Sequence, residues 1–532
     1  MTVQIIAVTV RSITVERMNN DRYESTPCTV LLNGKTVKET VLNVISIFGL
    51  DPDTGYELTV REENGSEETL SFRTQKETLL LNVKAFGAKG DGVNNDTSAI
   101  QAAIACCPAG GTVYLPKGTY CASSIFAKSD MTFWLDQDAV LLGLTDRTMY
   151  PILPGMVRDQ YDNSHEMSFG SWEGNPLDCF AALLSAIGAE NLTVIGEGVL
   201  NGNADQGDWW VNQKVKRIAW RPRLLFLNGC RNVVVQGITV KNSPSWTVHP
   251  YYSCNLKFLN LHIENPYNSP NTDGFDPESC TDVLLLGTRI SVGDDCIAIK
   301  SGKLYMATAH RVISERIEIR NCSLESGHGS VTIGSEIAGG VQNVHVTNCR
   351  FLGTDRGVRI KTRRGRGETS VLTDLVFENI RMEDVKMPIT VNMHYFCDPD
   401  GHSSYVQSQE MMEKDYRTPT VGTIALKNVE CSGVGASLVC ACGLPESPIV
   451  RISLEQVEAS YSPEAERKAV TPIMMDGFDP VEGESLWLKN VSELNVKGLH
   501  IRGENVHLPE VFGAMERTVE DFTVNGREIR EI

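Results

Sequence analysis

A short pattern of residues recurs six times between residues 232 and 382, and it limits the possible folds more than any other feature of the chain. Each copy has apolar residues at its second, fourth and ninth places. The copies begin at Asn232, Asn255, Asp282, Arg316, Asn343 and Asp374. Successive copies lie 23 to 34 residues apart, and a repeat of this length predicts a solenoid. Because the apolar residues alternate with period two, the repeat predicts strands rather than helices.

The sixth place of every copy holds Gly or Asn, the residues that most readily adopt a positive φ where the backbone must bend. These residues are Gly237, Asn260, Gly287, Asn321, Asn348 and Asn379. Strands separated by such bends predict a parallel β-helix, whose coils stack about 4.8 Å apart. Equivalent places in successive coils then become spatial neighbours, although a whole coil separates them in sequence.

The first 76 residues carry short alternating runs separated by turn residues, which predicts a small β-sandwich. The stretch Leu50–Tyr56, followed by Phe72–Thr74, resembles the fibronectin type III pattern. That resemblance implies a buried Tyr56. We therefore expect two domains, a sandwich at 1–78 and a β-helix at 79–532. The sandwich is interpreted as a spacer or end shield, with a carbohydrate-positioning or partner-binding module as the alternative.

The net charge of −18 and the pI near 5.1 argue against a nucleic-acid or anionic-membrane partner. No apolar stretch is long enough to span a membrane. The 15 scattered cysteines predict free thiols in a reducing compartment, and Cys440 and Cys442 lack a second half-site for a metal. No signal-peptide pattern precedes the first strand, so we expect a cytoplasmic location, or a secreted or periplasmic one if a leader was removed. We expect no metal and no cofactor, and oligomeric state stays open.

Four polar motifs occupy equivalent places in four consecutive coils. They are Asn271–Gly274, Gly293–Cys296, Gly327–Gly329 and Arg359–Lys361. Each lies just before or on a strand whose apolar residues point inward, so its polar side chains point outward on one face. Stacking is therefore expected to gather Asp273, Asp294, Asp295, His328, Arg359 and Lys361.

With these four motifs intact, the chain resembles glycoside hydrolase family 28, the polygalacturonases, from about Phe86 through the last repeats. The resemblance implies a right-handed parallel β-helix that hydrolyses α-1,4-galacturonosyl bonds of pectin with inversion. It implies that Asp294 is the general acid. It further implies that Asp273 and Asp295 activate water and that His328 tunes the acid. Arg359 and Lys361 are implied to bind the sugar carboxylate.

Physical chemistry supports these roles. Glycoside hydrolysis needs one protonated and one ionised carboxyl beside the scissile bond. Three crowded aspartates cannot all ionise near neutral pH, so at least one pKa should rise. A guanidinium and an ammonium suit a substrate that carries a carboxylate on every sugar.

Five further residues are candidate substrate contacts: Asn271, Tyr395, Lys300, Trp246 and His249. Each has a structural alternative. In the same order, these are an asparagine of a β-helix turn, a tyrosine outside the site, a lysine on a solvated rim, a buried tryptophan, and a histidine whose ring nitrogens are hydrogen-bonded within the protein. A basic run that includes Arg363, Arg364 and Arg366 is interpreted either as a focus for a polyanion or as a solvated rim.

Two long loops, Thr145–Asp178 and Met393–Thr420, are placed to close one end of the groove. The runs Arg359–Arg366 and Thr332–Glu336 resemble those of bacterial exo-acting members, so we expect attack from a chain end. The alternatives are an endo-polygalacturonase, a rhamnogalacturonan or xylogalacturonan hydrolase, a calcium-dependent pectate lyase, and a binding β-helix with a vestigial site.

Overall fold

The computed structural model describes residues 2–158 and 166–530, and it confirms the predicted fold class. The chain is an all-β protein in which a small antiparallel β-sandwich precedes a right-handed parallel β-helix. The last strand of the sandwich ends at Arg73, and the first strand of the coils begins at Leu80. No helix within the described residues is long and apolar enough to cross a membrane.

The sandwich has two antiparallel sheets. One contains Thr2–Val8, Ser12–Met18 and Val44–Phe48, and the other Lys35–Leu42, Glu24–Leu32, Gly55–Glu62 and Glu67–Arg73. Their inner faces enclose a small apolar core of their own. Tyr56, expected to be buried, is only partly so. Its ring stacks 5.5 Å from that of Phe72, and its hydroxyl accepts the Asp51 N–H at 2.9 Å.

The largest sheet of the β-helix, the long sheet, has 25 strands paired coil on coil. Its strands are Leu80–Asn82, Asp91–Asn95, Gly111–Leu115, Gly118–Ala122, Met131–Leu135, Ala139–Gly143, Leu192–Gly196, Val199–Asn201, Arg231–Gln236, Thr239–Lys241, Cys254–Leu259, His262–Glu264, Thr281–Leu286, Arg289–Ser291, Ser314–Arg320, Ser323–Glu325, Val341–Thr347, Arg350–Leu352, Val371–Glu383, Thr420–Val421, Thr423–Val434, Ile449–Tyr461, Val491–Arg502, Glu516–Val524 and Arg527–Glu528. All pairs are parallel except the last one.

A second face of the coils, the site sheet, carries the predicted polar motifs. Its strands are Ile125–Ala127, Leu184–Ile187, Leu225–Asn228, Val248–Tyr251, Asp295–Ile299, Gly329–Ile333, Arg356–Lys361, Met387–Asn392, Ser437–Cys442, Glu484–Lys489 and Glu510–Phe512. Phe275 joins the first four strands to the rest, because it forms parallel bridges with Val248 and Ile297.

The remaining elements are short. The helices are Thr97–Cys106, Leu304–Ala309 and Ser404–Gln407, the 3₁₀ turns are Val83–Phe86, Arg147–Met149, Ala204–Gln206 and Glu464–Glu466, and the minor strands are Ile152–Leu153, Val157–Arg158, Glu166–Met167 and Cys179–Phe180. The first helix follows the predicted start and buries Ile100 and Ile104 in the core at the N-terminal end of the coils. All 15 cysteines are free.

The repeat behaves as its pattern predicts. In the copy that begins at Asn232, the apolar residues Val233, Val235 and Val240 are each at most 1% exposed. The sixth-place residues all have positive φ, between 50° and 81°. We call this row, with the later Asn428, the asparagine turn: Gly237, Asn260, Gly287, Asn321, Asn348, Asn379 and Asn428.

The sandwich docks on the long sheet along the asparagine turn. Asn43 donates to the amide oxygen of Asn321 at 3.0 Å, and Glu16 accepts from both Asn321 and Arg320. Further contacts link Gln236 with Ser12 and Thr14, Val44 with Leu259 and Leu286, Asn348 with Asn19, and Asn379 with Asn20. These contacts of the sandwich therefore lie on the long sheet.

Candidate active site

The register of the site sheet stacks the four motifs. Asp295 pairs with Gly329, and Thr332 in the next coil pairs with Arg359. Phe275 pairs with Ile297, which brings Asp273 level with Asp295. One carboxylate oxygen from each of Asp273, Asp294 and Asp295 lies within 4.8 Å of the others.

Asp295 is the most tightly held of the three carboxylates. Arg359 Nη1 lies 2.9 Å from its Oδ1, and Lys361 Nζ lies 2.9 Å from its Oδ2. Burial alone would raise the pKa of Asp295, but the two cations outweigh it and hold that pKa well below its usual range. Asp295 is therefore ionised, and both predicted binders of the sugar carboxylate already contact a carboxylate of the protein.

Asp273 has the opposite electrostatic environment. Burial, then the charge of Asp294, raises the pKa of Asp273 to about 7, which confirms that one of the three pKa values rises. Lys300 Nζ lies 3.5 Å from Asp273, 3.5 Å from Asp276 and 3.3 Å from Glu336. Lys300 thus neutralises buried protein carboxylates, and the amine predicted to bind substrate is enclosed beneath the aspartates.

Asp276 and Glu336 were not predicted as parts of the site. Asp276 is fully buried, and burial followed by the charge of Asp273 raises its pKa well above its usual value. The pKa of Glu336 is depressed, because Lys300 and Lys303 outweigh the effect of its burial. Asp276 stands three residues after Asp273, just beyond the motif Asn271–Gly274, and this proximity is a sequence signal that the prediction did not use.

Asp294 is the partly exposed member of the trio. Its Oδ1 accepts the backbone N–H of Asp295 at 3.0 Å, and its carbonyl accepts the N–H of His328 at 3.0 Å. The His328 ring has its Nδ1 3.2 Å from Asp355 Oδ2, and this contact raises the pKa of His328. Asp355, which sequence reasoning missed, therefore favours the cationic form of an imidazole beside the aspartates.

Comparison with known proteins agrees with this geometry. Residues 162–460 match the family described as glycosyl hydrolases family 28, and residues 80–134 match rhamnogalacturonase A/epimerase, pectate lyase-like. The chain belongs to glycosyl hydrolase family 28. It is a glycoside hydrolase, and the site described above lies within the matched residues.

Relatives and solved structures extend the likeness beyond the matched region. A probable polygalacturonase of Vitis vinifera is 27% identical over 74% of this chain and 77% of that protein. An exo-poly-alpha-D-galacturonosidase of Dickeya chrysanthemi is 27% identical over 69% and 67% respectively. The family 28 exopolygalacturonase structure of Yersinia enterocolitica superposes with a TM-score of 0.66 at 19% identity, covering 99% of this chain and 100% of that one. This last likeness extends the shared fold to the N-terminal sandwich.

Four other residues of this family 28 enzyme were predicted to contact substrate, and each makes a different set of contacts within the protein. Three are described here, and His249 follows. Tyr395 is 7% exposed, with its ring centre 5.4 Å from Lys361 Nζ, so it borders the cation pair. The amide oxygen of Asn271 accepts from Arg221 at 2.6 Å. Trp246 is 5% exposed and contacts Lys300 at 4.2 Å, which corrects the expected sugar-stacking role to support of that lysine.

His249 is the clearest correction. It has no exposed surface, and its two ring nitrogens contact Arg223 at 3.2 Å and Glu278 at 2.9 Å. Burial, then the nearby Arg223, lowers its pKa well below the usual value. A direct contact with substrate is therefore wrong, because the ring lies beneath the site with both polar atoms engaged.

The first wall of the site comes from the predicted loop Thr145–Asp178, of which residues 159–165 lie outside the described residues. Trp172 stacks on Trp220 at 4.7 Å, with Arg221 and Arg223 beside it. A Cβ at Gly174 would lie 2.8 Å from Glu336, so the loop tip rests directly on that side chain. The loop therefore spans the coils from Arg221 and Arg223 to Glu336.

The second wall comes from the predicted loop Met393–Thr420. Its Asp398 lies 2.9 Å from Lys303, 3.2 Å from Arg363 and 2.7 Å from Arg366. Arg364 is buried against Glu446 at 2.6 Å. Both interpretations of this arginine run are therefore corrected: the three side chains are at most 5% exposed and fasten loops, so they form neither a solvated rim nor an open basic groove.

A third wall was not predicted. Residues 471–480 form a loop whose base is closed by two backbone hydrogen bonds between Val470 and Val481. Met474 covers Arg359, with its sulfur 3.5 Å from Nη2, and its carbonyl accepts from Asn392 at 3.0 Å. The loop closes the face of the site toward the C-terminal coils.

The three aspartates are close enough to share a cation, which raises the question of a metal. Both oxygens of Asp295 are already bound by Arg359 and Lys361, and Lys300 contacts Asp273. Three fixed positive charges among the carboxylates disfavour a divalent ion at the same place. The donor set therefore fits proton chemistry better than metal binding.

Proposed function

We propose that the enzyme hydrolyses α-1,4-galacturonosyl bonds of oligogalacturonides and polygalacturonate, removing sugar from a chain end by acid and base catalysis. The observation that carries the proposal is the trio of aspartates held within 4.8 Å beside Arg359 and Lys361. Carboxyls in different protonation states are what glycoside hydrolysis requires. The two cations suit a sugar that bears a carboxylate.

Asp294 is assigned as the general acid, as the family resemblance implies, because it is the partly exposed member of the trio, whereas Asp273 and Asp295 are buried. Asp273 and Asp295 are assigned to the attacking water. Positioned acid and base groups of this kind accelerate reactions by roughly 10²–10⁴-fold. The carboxyl spacing is shorter than the about 6.5–9.5 Å of most inverting pairs, so inversion rests on the resemblance and is tested below.

Substrate binding is expected to activate Asp295. A galacturonate carboxylate that draws Arg359 and Lys361 toward itself weakens the two contacts that depress the pKa of Asp295. Its pKa then rises toward the usual value, and a carboxylate with a higher pKa is a stronger base. In this way the substrate's own charge prepares the water-activating group, so neutral sugars would be poor substrates.

The three walls support attack from a chain end. Trp172, Asp398 and Met474 each belong to a loop that covers a different side of the aspartates. A site closed on three sides is a pocket, and a pocket accepts the terminal unit of a polymer more readily than a middle unit. The curated relative from Dickeya chrysanthemi carries an exo-acting name, in agreement with this proposal.

Product analysis of purified protein with galacturonate hexamer tests the proposal. We expect reducing sugar, no ultraviolet-absorbing unsaturated product, full activity in chelator, and only the shortest product at early times. Proton NMR of the first product is expected to show the inverted anomer. Unsaturated sugar would indicate a lyase, intermediate sizes at early times would indicate endo attack, and no cleavage by a folded protein would remove the proposal.

A further inference from the structure

The guanidinium of Arg359 has two hydrogen-bond partners of very different strength. Within the described residues, its side chain donates from Nη1 to Asp295 Oδ1 at 2.9 Å and from Nη2 to the Met474 sulfur at 3.5 Å. The first partner is an ionised carboxylate, and the second is a thioether, which is a weak acceptor. Nη2 is therefore the part of Arg359 that a substrate carboxylate takes over at the lower cost.

Backbone contacts around Met474 hold its sulfur over the guanidinium. Arg356 Nε donates to the Pro472 carbonyl at 2.9 Å, and Asn392 Nδ2 donates to the Met474 carbonyl at 3.0 Å. Arg359 beneath this segment is only 7% exposed. A ligand that reaches Nη2 must therefore displace the sulfur, so the acceptor strength of the atom at this place affects how readily the ligand binds.

The two adjacent methionines of this wall differ in exposure. Met474 is partly exposed, whereas Met475 is 5% exposed and its sulfur lies 3.9 Å from Cys442 Sγ. A thioether is the side-chain group that oxidants convert to a sulfoxide, and the conversion requires access to the sulfur. Of the two, Met474 is therefore the methionine that a small oxidant in solution reaches first.

We propose that Met474 is an oxidation site at which a peroxide controls how readily Arg359 binds the substrate. In the thioether form, the sulfur is a weak acceptor that a substrate carboxylate displaces from Nη2. In the sulfoxide form, a polar oxygen competes with that carboxylate for the same N–H groups. The inference rests on the proposed function, which supplies the carboxylate.

The chemical step transfers one oxygen atom from hydrogen peroxide to the sulfur. A sulfur lone pair attacks one peroxide oxygen, the S–O bond forms as the O–O bond breaks, and the other oxygen leaves as water with the proton of the attacked hydroxyl. Sulfur loses two electrons and the peroxide gains two. The new oxygen is bonded to the atom 3.5 Å from Nη2, and the flexible methionine side chain can rotate it into hydrogen-bond range. A charged donor makes such a bond roughly twice as strong as a neutral one.

The test measures KM for galacturonate hexamer before and after hydrogen peroxide, with each protein compared with its own untreated sample. In wild type we expect a rise of about tenfold, with a smaller change in kcat. Met474→Leu keeps the volume without the sulfur, and its KM should change less than about twofold on treatment. Met474→Gln supplies an amide oxygen without oxidation and should have a KM about tenfold above untreated wild type. Met411→Leu, at a methionine that is 72% exposed, is the matched control and keeps the full response to peroxide.

Two further measurements assign the effect to one atom. Tandem mass spectrometry of the loop peptide distinguishes an oxygen on Met474 from one on Met475. Assays contain excess thiol reductant, which reverses sulfenic acid or disulfide at the exposed Cys397 but leaves a sulfoxide. Methionine sulfoxide reductase should then return KM to its untreated value.

Three results would overturn the oxidation site: no oxygen on Met474 under conditions that oxidise Met411, an unchanged KM in oxidised wild type, or an equal rise in Met474→Leu. If Met474→Leu fails to fold by circular dichroism, Met474→Gln decides the question, and a KM like that of untreated wild type counts against the site. If untreated wild type does not cleave hexamer, the proposed function fails by itself. Calorimetric titration with hexamer before and after peroxide then tests Met474, and equal results would count against it.

Discussion

The asparagine turn and the site sheet stack side chains in the same way but with opposite chemistry. On the asparagine turn, Asn379 donates to Asn348 at 2.7 Å and Asn428 donates to Asn379 at 2.9 Å. On the site sheet, neighbouring coils place Asp273 against Asp295, and the next coils supply Arg359 and Lys361. The asparagine turn thus repeats neutral residues, asparagine in most coils, while the site sheet brings opposite charges together.

The difference follows from what each group can donate and accept. An amide does both, so a row of identical asparagines satisfies itself. An ionised carboxylate only accepts, and two of them one coil apart repel each other. The site therefore needs a cation for each ionised aspartate and a proton on another. A solenoid can therefore repeat asparagines in successive coils without leaving a donor or acceptor unpaired. Stacked acids instead acquire unequal pKa values, which catalysis uses.

The largest expected effect is on the charged face. Asp294→Asn should lower kcat by about 10²–10⁴-fold, because an amide cannot deliver the proton to the leaving oxygen. Thermal unfolding and hexamer binding should stay close to wild type. Asp138→Asn, at an exposed position paired with Lys117, is the matched control. Retention of more than a small fraction of activity in Asp294→Asn would remove the assignment of the acid.

The second prediction concerns pH. Because the three aspartates lie within 4.8 Å of one another, they titrate as one group and share a proton, which Asp294 delivers in the acid step. Burial, then the charge of Asp294, raises the pKa of Asp273 to about 7, so the trio keeps that proton up to about this pH. As the pH rises through this value the proton is lost, so kcat/KM should fall about tenfold per pH unit above about 7. Initial rates with hexamer between pH 5 and 9, an interval of about two units on either side of that pKa, measure it. A flat profile between neutral and mildly alkaline pH would contradict the shared-proton arrangement.

The smallest expected effect is on the neutral face. Asn348→Ala removes contacts to Asn379 and Asn19 and places alanine, which tolerates positive φ less well than asparagine, at a φ of 55°. We expect a loss of about 1–2 kcal/mol in stability, seen as a lower thermal midpoint, with kcat/KM unchanged. Asn348→Gly keeps the backbone conformation accessible and should lose less. A drop in kcat/KM in folded Asn348→Ala would show that the two faces are coupled.

Sequence reasoning reached the coils and the six motif residues because both depend on register. A period-two pattern with Gly or Asn at one place determines which residues point inward, and stacking then aligns the rest. It did not reach Asp276, Glu336 or Asp355, whose importance depends on sharing the cations of Lys300, Lys303 and Lys386 at the distances the folded coils set.

Loops account for the other differences. From sequence alone, Trp246 and His249 were plausible sugar contacts. In the structure both are buried, and Trp172 of the loop packs beside Arg223 in the neighbouring coil. The wall at Met474 comes from a segment more than a hundred residues after Arg359 in sequence, with no periodic signal to place it. Side-chain roles that depend on which loop folds over a coil are therefore outside what a repeat pattern can predict.

The docking of the sandwich has a mechanical consequence. Solenoid coils contact only their neighbours, so such rods normally fray and shear a coil at a time. Here the sandwich contacts six successive coils, those that contain Gln236, Leu259, Leu286, Asn321, Asn348 and Asn379. Those coils include every one that carries a catalytic aspartate or its partner cations. The relative height of these coils, on which the spacing of the acids depends, is therefore held by contacts to the sandwich as well as by the pairing of neighbouring coils.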